Sequence, residues 1–303
     1  MASRISPAKM RMRRLRERLI EAILFLCAAS SVFVTVGIVG VLVVESWGFF
    51  QHVPVATFLT DTMWTPLFDN PRYGILPLLA GTFLSTMVAL CVAGPLGLTA
   101  AIYLSEFASP RVRETIKPIL ELLSGVPTVV FGFFALLFVT PLLQNTILPN
   151  LPGFNILSAG IVMGVMIIPY IASLSEDALR AVPQAMRDGS LAMGATKLET
   201  AIKVVLPAAV SGVAAAFVLG ISRAVGETMV VAIAAGQQPN LTLDPTQPAA
   251  TITAYIVQVA LGDLPHGSIA YQTIFAAGLT LMLITLVFNV FGFWLKSKFR
   301  EEY

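Results

Sequence analysis

Apolar stretches long enough to cross a bilayer recur six times along the chain, near residues 19–47, 75–104, 117–141, 157–175, 207–236 and 270–295. A single helical crossing needs about 20 predominantly apolar residues, so the pattern predicts an all-α polytopic membrane protein with six transmembrane helices. Gly125, Pro127 and Pro169 interrupt the third and fourth stretches. Membrane helices tolerate such residues where neighbouring groups or water take up the freed backbone. The first stretch exceeds the apolar core of a secretory signal, about 7–15 residues, and is expected to remain as a transmembrane helix. The organisation expected is a basic arm 1–18, a first helix 19–47, an outer loop 48–74, a core 75–295 of five helices containing a polar loop 176–206, and a tail 296–303. Between Pro248 and Pro265, residues 249–261 predict a short helix lying on the outer surface or dipping into it.

Composition supports the membrane reading. Of 303 residues, 56% are hydrophobic and 12% charged, against about 25% charged in soluble domains. The net charge of +2 gives no reason to expect nucleic acid as a partner. Cys27 and Cys91 both lie in apolar sequence and read as small hydrophobic residues, with no disulfide framework, metal cluster or cofactor indicated. The large Leu26 before Cys27 argues against a lipoprotein cleavage site.

The distribution of charge sets the orientation. The arm carries Arg4, Lys9, Arg11, Arg13, Arg14, Arg16 and Arg18. Residues 105–117 carry Arg111, Arg113 and Lys117, the 176–206 loop carries Arg180, Arg187, Lys197 and Lys203, and the tail carries Lys296, Lys298 and Arg300. With six alternating crossings, seventeen of the nineteen basic residues fall on one side, leaving Arg72 and Arg223. The positive-inside rule makes that side cytoplasmic, with both termini, and the arm is expected to touch anionic lipid. On the outer side, Trp47, Trp64 and Tyr73 are expected to form an interfacial belt.

The 176–206 loop is patterned rather than disordered. Ala178, Val182, Ala185 and Met186 space like one helix face, and Leu191, Met193, Leu198 and Ile202 do so less regularly. Gly189 and Gly194 punctuate, and Thr196 with Glu199 three residues on forms a capping-box signal. The expectation is a helix, a glycine turn and a helix, with a small apolar face able to enter a partner's groove. Asp188-Gly189-Ser190, three residues, Gly194, nine residues, then Val204, Val205 and Leu206-Pro207 resemble the EAA signature of ABC-importer permeases in full spacing. The departures are Asp for Glu, Gly-Ser for Ala-Ala and Val for Ile.

Three further stretches, 101–107, 117–132 and Arg223-Ala224-Val225-Gly226-Glu227-Thr228-Met229, resemble phosphate-specific permeases of that family, the PstC-like subunit more than its paralogue PstA. The resemblance implies a type I ABC-importer permease fold working by alternating access. It also implies a heterodimer with the paralogous permease, two ATPase subunits and a periplasmic or extracellular phosphate-binding protein. Asp188, Gly189, Gly194, Leu206 and Pro207 are implied as the segment that couples to the ATPase. The chain has no G-x-x-x-x-G-K-[ST] loop, so ATP hydrolysis is expected on a separate subunit, and this chain is expected to be non-catalytic.

Arg223 and Glu227 are the only charged residues between Lys203 and Asp244. An arginine near the bilayer centre costs about 2.5–3.5 kcal/mol on insertion scales. If 207–236 is one helix, the pair shares a face. One reading is a buried ion pair holding helices together. The other is a lining of the anion path, where the planar guanidinium contacts phosphate transiently and the carboxylate moderates its grip. A sulfate or similar oxyanion would suit Arg223 nearly as well. Glu121, and a possible unwinding at Ser124–Thr128, are weaker path candidates. Small residues Gly94, Gly97, Gly160, Gly164, Gly212 and Gly220 are expected to allow close helix packing. An intramembrane enzyme is disfavoured by two outer-loop histidines, His52 and His266, and by the lack of H-E-x-x-H and G-x-S-x-G motifs. An ion-driven carrier or channel is disfavoured by the lack of repeated broken helices.

Overall fold

The basic arm and the first apolar stretch are one helix, α1 (Pro7–His52). At 46 residues it runs about 69 Å, more than twice a hydrocarbon core. This is a computed structural model of the chain that describes residues 7–298, so the ends of the expected arm and tail, 1–6 and 299–303, lie outside the described residues. Among the described residues there is no strand, only an isolated antiparallel bridge between Trp64 and Tyr73. A short helix α2 (Val55–Thr60) follows α1. The second crossing is α3 (Leu76–Ile102), continued by a π turn, Tyr103–Phe107.

The third apolar stretch departs from expectation. Residues 117–124 end an amphipathic helix, α4 (Pro110–Ser124), none of whose residues is buried. The crossing starts only at Thr128 and comprises α5 (Thr128–Phe134), a π turn Ala135–Val139 and α6 (Thr140–Thr146). The physical reason is local. The Ser109 side chain caps α4, Pro110 fits its first turn, and Gly125 ends it. Pro127 then disfavours helical backbone at Val126. Glu121 is exposed on α4, which ends before the crossing begins. The fourth crossing, α7 (Ile156–Arg180), matches expectation and is capped by the Asn155 side chain.

After α7 come α8 (Gln184–Ala192) and α9 (Lys197–Thr200), then a π turn Ala201–Val205 and α10 (Leu206–Ala208). The chain bends by 75° at Ala209 into α11 (Val210–Val225). The expected continuous helix over 207–236 is therefore not present. Helix α11 stops at Gly226, and α12 (Met229–Ala234) resumes after a break. α13 (Ile252–Ala260) occupies the place foreseen for a short outer helix, and its Ile252, Thr253, Ala254, Tyr255 and Val259 are buried, so it dips into the body. α14 (Ile269–Lys298) is the last crossing. Among the described residues five helices are long and apolar enough to cross a membrane, and the pair Lys197–Ala208 and Val210–Val225, bent at Ala209, would make a sixth.

The centre is α3, α7 and α11 packed closely. A Cβ on Gly160 would meet Val88 at 2.6 Å, one on Gly164 the Ala89 carbonyl at 2.8 Å, and one on Gly97 the Ile171 side chain at 2.9 Å. The glycines predicted to allow close approach do so, because without cohesive water contact distance decides helix association in lipid. α1 leans on α14, with Gly48 beside Gln272 and Leu42 beside Gly278, so the two run antiparallel.

Contacts define two ends of the bundle. Arg113 and Lys117 on α4 meet the end of α7, and Arg187 on α8 meets Glu106 after α3, which places 103–124 and 176–206 together at a basic end. At the opposite end Phe49, Phe58, Trp64, Tyr73 and Tyr255 form one aromatic cluster. Trp64 is only 2% exposed, which corrects its expected place in an interfacial belt. The cluster can bury it because the bridge to Tyr73 and the Arg72–Asp61 pair fold the 61–74 loop back on the body.

Candidate translocation and coupling sites

Arg223 and Glu227 do pair, Nη1 to Oε2 at 2.7 Å, but across a helix break. Arg223 ends α11, where a cation complements the partial negative charge of the helix C-terminus. Glu227 stands just before α12, and its other carboxylate oxygen accepts the Met229 and Val230 backbone N–H groups at 3.2 and 3.4 Å. Its own carbonyl accepts the Thr253 hydroxyl from α13 at 2.6 Å, and Thr253 in turn contacts the Thr251 hydroxyl at 3.1 Å. The Thr82 hydroxyl of α3 accepts the Ile252 N–H at 3.1 Å. Thr82 lies six residues into α3, roughly 9 Å from its outer end, so the break sits in the half of the bundle away from the basic end.

These contacts divide the pair by role. The Glu227 side chain is 2% exposed and closes α12, α13 and Arg223 around itself. The Arg223 side chain is 34% exposed, with one guanidinium nitrogen bound to Glu227 and no protein partner for the others among the described residues. Arg223 thus keeps N–H donors that no described residue takes up, while Glu227 holds the guanidinium in place. The Ser124–Thr128 region is a junction between α4 and α5 rather than an unwound turn within a crossing helix.

The residues singled out for coupling lie apart from this pair, at the basic end. Asp188 and Gly189 are inside α8, exposed, with Asp188 accepting from Gln184 at 3.0 Å. Gly189 does not punctuate: nothing lies within 4 Å of a Cβ there, and the backbone is helical. Gly194 forms the turn with φ +89°, a conformation costly to other residues. The capping box is present, with Thr196 N–H to Glu199 at 3.0 Å and Glu199 N–H to Thr196 Oγ1 at 3.3 Å. Ser190 and Thr200 hydroxyls 2.9 Å apart close the hairpin. Leu206 packs on a small core of Ala101, Leu179, Val182, Val205, Ala209 and Val213, while Pro207 is exposed just before the bend. Leu191, Met193, Leu198 and Ile202 are exposed, Met193 at 89%.

Two charge clusters escaped the sequence reading. Arg187 grips Glu106 through Nε and Nη2 at 3.0–3.3 Å and donates to the Leu179 and Val182 carbonyls at 2.8 and 2.6 Å. Glu176, fully buried, faces Arg113, Lys117 and Arg180. Burial opposes the charge of Lys117, yet the hydrogen bonds it donates to Asp177 and Glu176 hold its pKa above the ordinary lysine value. The spacing of Arg113 and Lys117, one helical turn apart, is the signal that could have found the second cluster. Among the described residues no group of histidine, cysteine and carboxylate side chains could hold a metal ion.

Residues 93–301 match the family described as binding-protein-dependent transport system inner membrane component. The chain belongs to that family. It is 34% identical over 280 residues to the probable ABC transporter permease protein YqgH of Bacillus subtilis, covering 92% of this chain and 89% of that one. It is 35% identical over 257 residues to the phosphate transport system permease protein PstC 1 of Mycobacterium tuberculosis, covering 77% and 75%. To PstC of Mesorhizobium japonicum it is 31% identical over 252 residues, covering 76% and 75%. A bacterial ABC transporter involved in alginate import superposes with TM-score 0.64 at 14% identity, covering 97% of this chain and all of that one. The MetNI methionine ABC transporter does so with TM-score 0.54 at 19% identity, covering 75% and 95%. At such identities these two likenesses speak for the fold alone. The chain is a multi-pass permease subunit of an ABC importer, in the inner membrane by family.

Proposed function

We propose that this permease carries inorganic phosphate across the cytoplasmic membrane by alternating access. The observation that carries the reading is Arg223, partly exposed at a helix break and, among the described residues, held through one guanidinium nitrogen. PstC relatives at 31–35% identity add the substrate class. A guanidinium can bond two oxygens of an oxyanion at once, and it stays charged at any relevant pH. Glu227 takes up part of its donor capacity, which keeps the grip weak enough for release.

The same reading assigns the basic end. The hairpin of α8 and α9, with Asp188, Gly189, Gly194, Leu206 and Pro207, receives a separate ATPase subunit on its exposed Leu191, Met193, Leu198 and Ile202. That end faces the cytoplasm with both termini. The other partners are a paralogous permease, forming a heterodimer, a second ATPase copy and a soluble phosphate-binding protein at the opposite end. ATP hydrolysis resides on the ATPase, and this chain is non-catalytic.

The test is uptake of labelled phosphate and of labelled sulfate into vesicles holding the complete transporter. ATP-dependent phosphate uptake that excess sulfate leaves unchanged is the expected result. Transport of sulfate in preference to phosphate would keep the importer and discard the substrate.

A further inference from the structure

The Glu176 cluster belongs to neither site described above. Glu176 lies one turn before the end of α7, with Arg113 Nε 2.9 Å from one carboxylate oxygen and Lys117 Nζ 2.8 Å from the other. Arg180 stands 3.8 Å away, and Lys117 also reaches Asp177 at 2.5 Å. Helix α4 has no buried residue, and its Ile119 and Leu122 are exposed. Its contact with the body is chiefly with α7, where these ion pairs fix its first half while the half-buried Leu123 near its end packs on the central core.

Charge is an expensive way to hold a helix that an apolar seam could hold. Arg113 Nε, although close, is not aligned for a hydrogen bond to Glu176. Such a cluster is better suited to fixing one point on α4 to one point on α7 than to general adhesion.

Where the two helices lead gives that fixed point a purpose. α7 passes through Ala181–Pro183 directly into α8. α4 passes through Gly125–Pro127 directly into α5. α5 in turn packs on α12, where a Cβ on Gly132 would meet Ile233 at 2.9 Å and the Met229 carbonyl at 3.1 Å. The Met229 N–H is one of the two that Glu227 caps. Direct contacts therefore run from α8 through α7, the Glu176 cluster, α4 and α5 to the half-helix at the Arg223–Glu227 break.

We propose that Glu176, gripped by Arg113 and Lys117, is a positioning residue that carries movement of the α8–α9 hairpin to the α11–α12 break at Glu227. It touches no substrate. It sets how much transport each ATP yields, and the inference rests on the reading that the hairpin receives the ATPase.

The test uses the complete transporter in vesicles, with phosphate uptake and ATP hydrolysis measured in parallel. Glu176→Gln is expected to lower uptake per ATP hydrolysed about tenfold, while hydrolysis itself changes little. A purely structural role would lower both rates together and leave their ratio unchanged. The triple replacement Glu176→Met, Arg113→Met and Lys117→Met restores a tie without charge and is expected to recover most of the ratio. Arg113→Gln, at a more exposed position, is the milder variant should Glu176→Gln fail to assemble, with a smaller fall in the same ratio expected. An unchanged ratio in every variant that assembles overturns the proposal. A wild-type complex that hydrolyses ATP but takes up no phosphate sinks the substrate reading instead, and the ratio is then measured with the oxyanion it does transport. Assembly of the ATPase after the hairpin's apolar residues are made polar would sink the docking reading separately.

Discussion

At the basic end, charged side chains hold the helices and apolar ones face outward. Arg187 staples α8 to Glu106, Glu176 gathers three cations, and Leu191 and Met193 stand exposed. At the opposite end the assignment is reversed. Phe49, Phe58, Trp64 and Tyr255 are buried in edge-to-face contact, and threonine hydroxyls of α3 and α13 serve backbone groups around Glu227. At the basic end the ion pairs surround a small core of short and branched side chains, Ala101, Leu179, Val182, Val205, Ala209 and Val213, and leave larger apolar side chains exposed. An end built on aromatic packing frames the break between α11 and α12.

The contrast breaks most sharply at its two anchors. Trp64→Ala removes a large buried ring and is expected to destabilise the frame by about 3–5 kcal/mol, read as a fall in unfolding temperature of the purified chain. Arg187→Ala removes the guanidinium from the Leu179 and Val182 carbonyls and from Glu106, which keeps the Ser105 hydroxyl at 2.8 Å. Loss of one partner of a largely buried pair costs about 3–5 kcal/mol at full burial, somewhat less here. The expected readout is local, as faster hydrogen exchange in α8 and weaker ATPase copurification, with little change in the unfolding of the opposite end.

A smaller effect separates the two glycines of the hairpin. Gly194→Ala is expected to cost about 1–2 kcal/mol, because a side chain is strained at its positive φ. Gly189→Ala sits in a helix with open space around it and is expected to stabilise α8 slightly, by under about 1 kcal/mol. Should Gly189→Ala nonetheless abolish uptake, its importance would lie at the docked partner's surface. Circular dichroism melts and uptake on the same preparations decide between these.

The smallest effect concerns the Arg72–Asp61 clasp on the outer loop. The Arg72 hydrogen bond holds the Asp61 pKa below the ordinary carboxylate value, although partial burial opposes it. A depressed folded-state pKa contributes stability that is present above the unfolded value, about 3.9, and lost as pH falls through the folded value. Amide exchange in the 61–74 loop is therefore expected to accelerate below about pH 4, and Asp61→Asn is expected to remove that dependence.

Much of this was legible in the sequence where the signal was local. The capping box at Thr196 and Glu199, the turn at Gly194, and the crossings of α3, α7 and α14 follow from residues within a turn or a span of one another. The break at Gly226 did not, because Arg223 and Glu227 at helical spacing inside an apolar run look like one continuous helix. What ends that helix is tertiary: Glu227 caps α12 while Thr253, 26 residues on, takes its carbonyl. The apolar face of α4 runs into α5 with only Gly125–Pro127 between them, so the pattern alone does not show where the third crossing starts. Nothing near Trp64 in sequence announces Tyr255 as its neighbour.

The most direct test of the account is phosphate uptake by the complete transporter carrying Arg223→Gln, with assembly and binding-protein-stimulated ATP hydrolysis measured alongside. The account predicts that uptake is lost while the complex assembles and hydrolysis persists. Normal uptake with Gln at 223 would contradict it and return the Arg223–Glu227 pair to a purely structural role.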